Sequence, residues 1–277
     1  MTPKFTTKDL GDILVTAISD GSMQVGFELL TNIDIAECEK IQRNAGIKEP
    51  NAIHINTFLI QKNGKNILID SGIGGLNNLG GQLIKNLAKL GIAPKDINTI
   101  LLTHSHPDHI GGLITRLGKA VFSRAELLVS NDEYNYIKDE KIFSIANDRT
   151  KGNFLLARKA FSLYQDRLRL IDKGEVLAGI DAIPLKGHTP GHTGYKIKGK
   201  NDELLVWGDI VHFPQIQLLK PNVSIAFDYD PQLATETRIN VLDLVNSHHI
   251  LVGGMHFGQN GFNYIKRLNT GYALDNE

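Results

Sequence analysis

Residues 100–112 of the chain read ILLTHSHPDHIGG, an apolar run that ends in three histidines and an aspartate within positions 104–109. The run INTILLT, 97–103, has the near-continuous apolar character of a buried strand. A turn at its carboxyl end can point the following side chains into one cavity. His104 and His106 flank a single residue, Asp108 and His109 fall in the same turn, Pro107 restricts the backbone, and Gly111 and Gly112 allow close packing. Such crowding is unfavourable unless compensated, because buried imidazoles and a carboxylate compete for too few donors. A divalent metal compensates it, since it takes imidazole nitrogen and carboxylate oxygen together. A solvated loop with incidental histidines suits a lone histidine better than this cluster.

The remaining donors follow the same rule of placement. His188 comes just past the apolar segment IDAIPL (180–185), Asp209 closes ELLVWGD (203–209), and His256 follows HILVGG (249–254). Four strand ends converging on one edge of a layered fold make a cavity built on rigid elements. Seven donors are too many for one tetrahedral zinc, so the number predicts two metals sharing a carboxylate.

Strand patterns also cover 12–21 and 54–72, the latter a hairpin turning at Asn63-Gly64. Further strands are expected at 125–130, 167–172 and 194–198, with HILVGG as the final strand. Helical periodicity marks 81–91, stopped by Gly91, then 131–146 and 152–165, and Asp230-Pro231 opens a long helix to about Asn246. Mixed strands and helices, with buried-looking strands, predict an α/β (α+β) arrangement of sheets packed under outer helices, as one domain over residues 1–277. The 30 Lys and Arg equal the 30 Asp and Glu, so the summed field favours neither nucleic acid nor an anionic membrane surface, and the partner is expected to be small. Cys38 stands alone and reads as a buried or helix-surface thiol. MTPKFTTKDLGD has no secretory pattern and no window is apolar enough for a membrane span, which predicts a cytoplasmic chain as written, periplasmic or secreted if a leader has been removed.

HSHPDH followed by separate His, Asp and His resembles the metallo-β-lactamase superfamily, from about residue 12 to 265. The resemblance implies a four-layer αββα sandwich. It also implies that His104, His106 and His188 hold one metal and Asp108, His109 and His256 a second, with Asp209 bridging. GHTPGHTGY, LLVWGDIVH and FDYDPQLATETR resemble most the methyl parathion hydrolase-like branch, which also holds lactone and ester hydrolases. The commonest class B β-lactamases carry a cysteine where this chain has Asp209, and the diiron flavoproteins carry a carboxylate where it has His106, so antibiotic hydrolysis and redox chemistry are disfavoured. The tyrosine that many acyl-homoserine lactonases place near the bridging aspartate has no counterpart in Ile210, Val211, His212 and Phe213. Pairing into a homodimer is implied by the resemblance alone.

Asp70, ending NILID, resembles the carboxylate that orients a ligating imidazole in this family. His192 is expected to be structural, and His212 is open between lining the pocket and lying on the surface. Phe213, Leu219, Phe227, Met255 and Phe257 flank the ligand-bearing segments, where they either receive an apolar substrate group or pack the core. The donor set predicts hydrolysis by a hydroxide shared between two divalent ions, with Asp108 shuttling the proton. Zinc is the expected metal, and the same donors suit manganese, cobalt and iron. Segments 103–112, 187–194 and 207–214 contain no Arg or Lys, which predicts a neutral, hydrophobic ester or lactone as substrate. Organophosphate triesters are the alternative, followed by thioesters or a non-catalytic metal-binding role.

Overall fold

A computed structural model describes residues 5–275; the first four residues of the amino-terminal stretch read above lie outside it. The strands of the first half are β1 (Thr6–Asp9), β2 (Leu14–Gln24), β3 (Leu30–Thr31), β4 (Ala52–Lys62), β5 (Lys65–Ile69), β6 (Ile97–Leu101), β7 (Glu126–Ser130) and β8 (Leu168–Ile171). Those of the second are β9 (Gly174–Leu177), β10 (Ile180–Pro184), β11 (Thr193–Lys198), β12 (Glu203–Val206), β13 (Ser224–Ile225), β14 (Leu251–Gly253), β15 (Phe262–Arg267) and β16 (Tyr272–Asp275). The helices are α1 (Ile35–Asn44), α2 (Leu83–Lys89), α3 (Pro107–Ile110), α4 (Asn131–Lys138), α5 (Glu140–Ile145), α6 (Asp148–Leu163), α7 (Pro214–Gln217) and α8 (Pro231–Ser247). One seven-stranded sheet runs β1-β2-β4-β5-β6-β7-β8 and the other β16-β15-β14-β12-β11-β10-β9, while β3 and β13 form a separate pair.

The two sheets lie face to face because their strands are apolar on both sides. In β6, Ile100 points into the layer shared with Leu87, Phe154 and Phe161 of the outer helices, and Leu101 points between the sheets. Likewise Leu204 and Val206 of β12 face the first sheet, and Leu205 faces Val241, Leu242 and Val245 of α8. The result is the expected helix-sheet-sheet-helix sandwich, and the hydrogen bonds that cross between the sheets include those from Thr193 N to the Thr103 carbonyl (2.9 Å), from Tyr195 Oη to the Leu102 carbonyl (2.8 Å) and from Asn56 N to the Met255 carbonyl (2.9 Å).

Local signals in the sequence act as expected. Asn63 and Gly64 take φ of 49° and 73° in the β4–β5 turn, as a tight hairpin demands. Asp230 accepts from Leu233 N at 3.0 Å and caps α8. Cys38 is buried on α1. Two expectations are corrected. HILVGG is not the last strand, since β15 and β16 follow and add a hairpin edge in which Phe262 joins the inter-sheet core; their polar alternation and positive-φ turns at Gly261 and Gly271 hid them. The helical stretch 131–146 is divided where the Asp139 side chain accepts from Lys141 N and Ile142 N and starts α5.

Gly111 and Gly112 serve the close packing that their motif suggested. A Cβ on Gly112 would stand 2.0 Å from the Ser71 carbonyl oxygen, and one on Gly111 2.2 Å from that of Ile73. Gly152, by contrast, lies in α6 with open space where its Cβ would be. We expect Gly112→Ala to destabilise by about 1–3 kcal/mol through overpacking and Gly152→Ala to stabilise by about 0.5–1 kcal/mol through helix propensity. Urea unfolding of both variants checks the pair, and a stable Gly112→Ala protein would show that the turn is not tightly packed.

Candidate metal centre

The donors collect at the carboxyl ends of strands from both sheets. β5 delivers Asp70, β6 delivers Thr103 and the 104–109 turn with α3, β10 leads to His188, β12 to Asp209 and β14 to His256. The parallel pairings β5–β6 and β12–β14 place their ends side by side, the position where open α/β sheets form crevices. Three groupings result in which candidate ligand atoms lie within 4.8 Å of one another: His104, His106 and His188; Asp108, His109, Asp209 and His256; and His188, Asp209 and His212.

Asp209 is central. Its Oδ2 lies 3.4 Å from His188 Nε2, 3.7 Å from His104 Nε2 and 3.1 Å from His212 Nε2, and its Oδ1 lies 3.1 Å from His109 Nε2 and 3.3 Å from His256 Nε2. On the far side of four of these rings Nδ1 is already engaged, His212 Nδ1 being the exception. His109 Nδ1 donates to Asp70 at 2.7 Å, His188 Nδ1 to Asp228 at 2.8 Å and His256 Nδ1 to the His54 carbonyl at 2.6 Å. Thr103 Oγ1 gives its single proton to Asp70 at 2.7 Å and so accepts from His104 Nδ1 at 3.1 Å. In those four rings Nε2 is therefore left with a lone pair on the side of the Asp209 carboxylate. Among the described residues, His109 Nε2, His212 Nε2, His256 Nε2 and Asp209 Oδ1 are buried without a hydrogen-bond partner. Converging lone pairs on buried atoms repel unless a cation lies between them, so the residues fit divalent metal.

The charges agree. Burial works against ionised rings, but Asp209, with Asp228, brings His188 up to about 9, and Asp209, with Asp108, raises His256. His109 is raised well above the usual imidazole range against the same burial, by Asp209, Asp108 and Asp70. The carboxylates thus attract positive charge into a dry site, as protons or as metal.

Every sequence-predicted ligand reaches the centre, and Asp70 takes the orienting position, from a left-handed backbone at φ 60°. His192 stays outside the ligand groupings. Its Nδ1 donates to the Leu185 carbonyl at 2.7 Å and its Nε2 accepts from Asp209 N at 2.9 Å, while burial and His188 lower it to about 3, so it is a neutral brace behind Asp209. His212 is buried and stacks on His256 at 5.3 Å rather than lying on the surface. Phe213 packs on Phe27 at 5.5 Å and, with Phe257, His54, His212 and His256, lines a cavity of about 640 Å³. Met255 packs in the inter-sheet core.

Sequence reasoning missed Glu133, Asp228, Arg238 and Arg149. The Glu133 carboxylate is fully buried and accepts from Ser105 N at 2.9 Å, from Ser105 Oγ and from Thr189 Oγ1 at 2.5 Å, which clamps two ligand-bearing turns together. Ser130-x-x-Glu133 reads as a capping box, and Ser130 Oγ does accept from Glu133 N at 3.2 Å; the carboxylate, however, points into the centre. Arg238, buried on α8, donates to the carbonyls of Ile210, Pro221 and Val223 and stands 3.8 Å from Asp228. Arg149 enters a second cavity beside His106 and His188, so a cation does approach the centre although the ligand-bearing turns hold none.

Fold and donor set together define the class to which the chain belongs. Residues 50–249 match the model of the metallo-beta-lactamase superfamily, and the chain belongs to that superfamily. The crystal structure of the hydrolase AbOPH of the beta lactamase superfamily is similar at 29% identity, with 99% of this chain and 97% of that one covered and a TM-score of 0.92. The dizinc quorum-quenching lactonase AidC, solved with a product, is similar at 25% identity, with 100% and 98% covered and a TM-score of 0.92. The uncharacterized protein YobT of Bacillus subtilis (strain 168) is 26% identical over 148 residues, 53% of this chain and 58% of that protein. The chain thus spans little more than half the length of this curated relative. Among the described residues no helix is long and apolar enough to cross a membrane.

Because Asp228 fixes His188 through one hydrogen bond, Asp228→Asn should weaken divalent-metal affinity by roughly 10–100-fold. Competition against a chromophoric chelator measures this, and unchanged affinity would separate Asp228 from the metal centre.

Proposed function

We propose that the protein hydrolyses the acyl–oxygen bond of an ester or lactone at a two-metal centre. The observation that carries this reading is the orientation of Asp209, with Oδ2 toward His104 and His188 and Oδ1 toward His109 and His256. In this reading His104, His106 and His188 hold one ion, Asp108, His109 and His256 hold the other, Asp209 reaches both, and zinc suits the donors first. Bound there, the ions supply Lewis acidity at the carbonyl and a water of lowered pKa.

The chain's own groups do the rest. Asp108, 3.5 Å from His109 Nε2 and 4.0 Å from His256 Nε2, takes a proton from the attacking water and returns it to the leaving oxygen. His212 sits at the edge of the larger cavity, with Nε2 3.1 Å from Asp209 Oδ2, and there touches the substrate. That cavity has Phe213 and Phe257 in its wall, which suit a hydrophobic acyl chain, beside polar residues that include Lys48 and Glu49. Asp70, Asp228 and the His54 carbonyl keep the rings in one tautomer and one orientation. The likeness to a lactonase bound to its product supports an ester or lactone over the methyl parathion-type phosphotriester.

Three measurements test this. Chelation should abolish turnover and added divalent ion should restore it. Asp209→Ala should lose far more than the roughly 10–100-fold typical of a group that only orients a ligand, together with bound metal by elemental analysis. An aryl ester, an acyl lactone, a phosphotriester and a thioester compared at matched metal loading assign the bond cleaved. Full activity without metal would refute the reading, and a clear preference for phosphotriester or thioester would move the substrate class.

A further inference from the structure

On the side of His106 and His188, away from the larger cavity, lies a smaller one of about 150 Å³, with Ser105 and Asp228 also in its floor. Its wall is aromatic and interlocked, since Tyr136 meets Phe154 edge-on at 4.9 Å and Tyr229 at 5.2 Å. Arg149, from the first turn of α6, stands at its mouth with the guanidinium 3.7 Å above the Phe227 ring. Phe227 adjoins Asp228, which holds His188, so the cation is braced by the segment that braces a ligand ring. The charge of Asp108 favours the ionised form of Arg149, but among the described residues the guanidinium forms no ion pair or hydrogen bond. Stacking occupies the face of the guanidinium and leaves its edge donors free.

A planar cation held over a ring at the side of a cavity matches a carboxylate in geometry and charge. We propose that this cavity receives the non-reacting end of the substrate and that Arg149 selects a carboxylate there. The inference rests on the hydrolase reading and refines its substrate: the scissile ester or lactone is uncharged, and the remote end of the molecule is anionic. At about 30 Å³ per water in the liquid, 150 Å³ holds a carboxylate and a few methylenes but no long chain. The longer part belongs in the larger cavity beside His212 and His256. An uncharged group filling the small cavity would cover Arg149 without pairing it, at a desolvation cost.

The test uses the metal-loaded protein and two esters of equal length, 4-nitrophenyl hexanoate and the mono-4-nitrophenyl ester of adipic acid. We expect the anionic ester to be favoured in kcat/KM by roughly three- to tenfold, a modest factor because Arg149 is solvent-exposed. Arg149→Gln should reduce that ratio to about one, and Arg149→Lys should keep part of it. The same comparison of binding, with the corresponding phenyl amides read by calorimetry, gives an answer even if neither ester is cleaved. Failure of turnover with anionic preference intact in binding would count against the hydrolase reading and leave the subsite standing. Equal affinity for both amides, or a ratio that survives in Arg149→Gln, would overturn the subsite.

Discussion

The structure depends on a concentration of electron pairs in a dry place. Asp209 and the imidazole nitrogens around it converge from buried positions, and neither water nor neighbouring donors neutralise them all. That arrangement persists because four of the rings are held from behind by separate groups: Asp70, Asp228, Thr103 and the His54 carbonyl. Those groups in turn are fixed by the sheet ends and by Arg238, whose donors go to three backbone carbonyls. A cost concentrated at the centre is met by hydrogen bonds spread over the surrounding fold.

Much of this was legible because the chemistry is local. Each ligand ends an apolar segment, so the residues near Leu101, Val206 and Gly253 announced both a strand and the cavity beyond it. The hairpin at Asn63-Gly64 and the cap at Asp230 were equally local, since the backbone torsion or the hydrogen bond lies within a few residues of its cause. What escaped was whatever acts across distance in the chain. Glu133 looks like an ordinary capping residue until α4 is docked against the turns at Ser105 and Thr189. Arg238 looks like the exposed side of an amphipathic helix, yet α8 turns it inward to carbonyls that no helical period reveals. Arg149 lies 41 residues from Asp108 and reaches the cleft only through the packing of α6.

His192 shows how a residue chosen as merely structural still bears on function. Its neutral ring joins the Leu185 carbonyl to the Asp209 amide, so the backbone that presents the central carboxylate cannot rotate without breaking a buried bond. A Cβ on Gly208 would fall 2.2 Å from the same ring. Shape and hydrogen bonding therefore restrict Asp209 together.

The distribution of the donors between the sheets has a further consequence. Asp70 and the 104–109 turn belong to the first sheet, whereas His188, Asp209 and His256 belong to the second. A cation held among them ties together halves that otherwise meet through apolar packing and a few hydrogen bonds such as Thr193 to Thr103. Separation of the sheets and loss of the ion then become one event. Resistance to unfolding consequently rises with the free concentration of the ion, by about 2.7 kcal/mol at a hundred times its dissociation constant, and the supply of metal in the surroundings becomes a determinant of how long the folded chain survives.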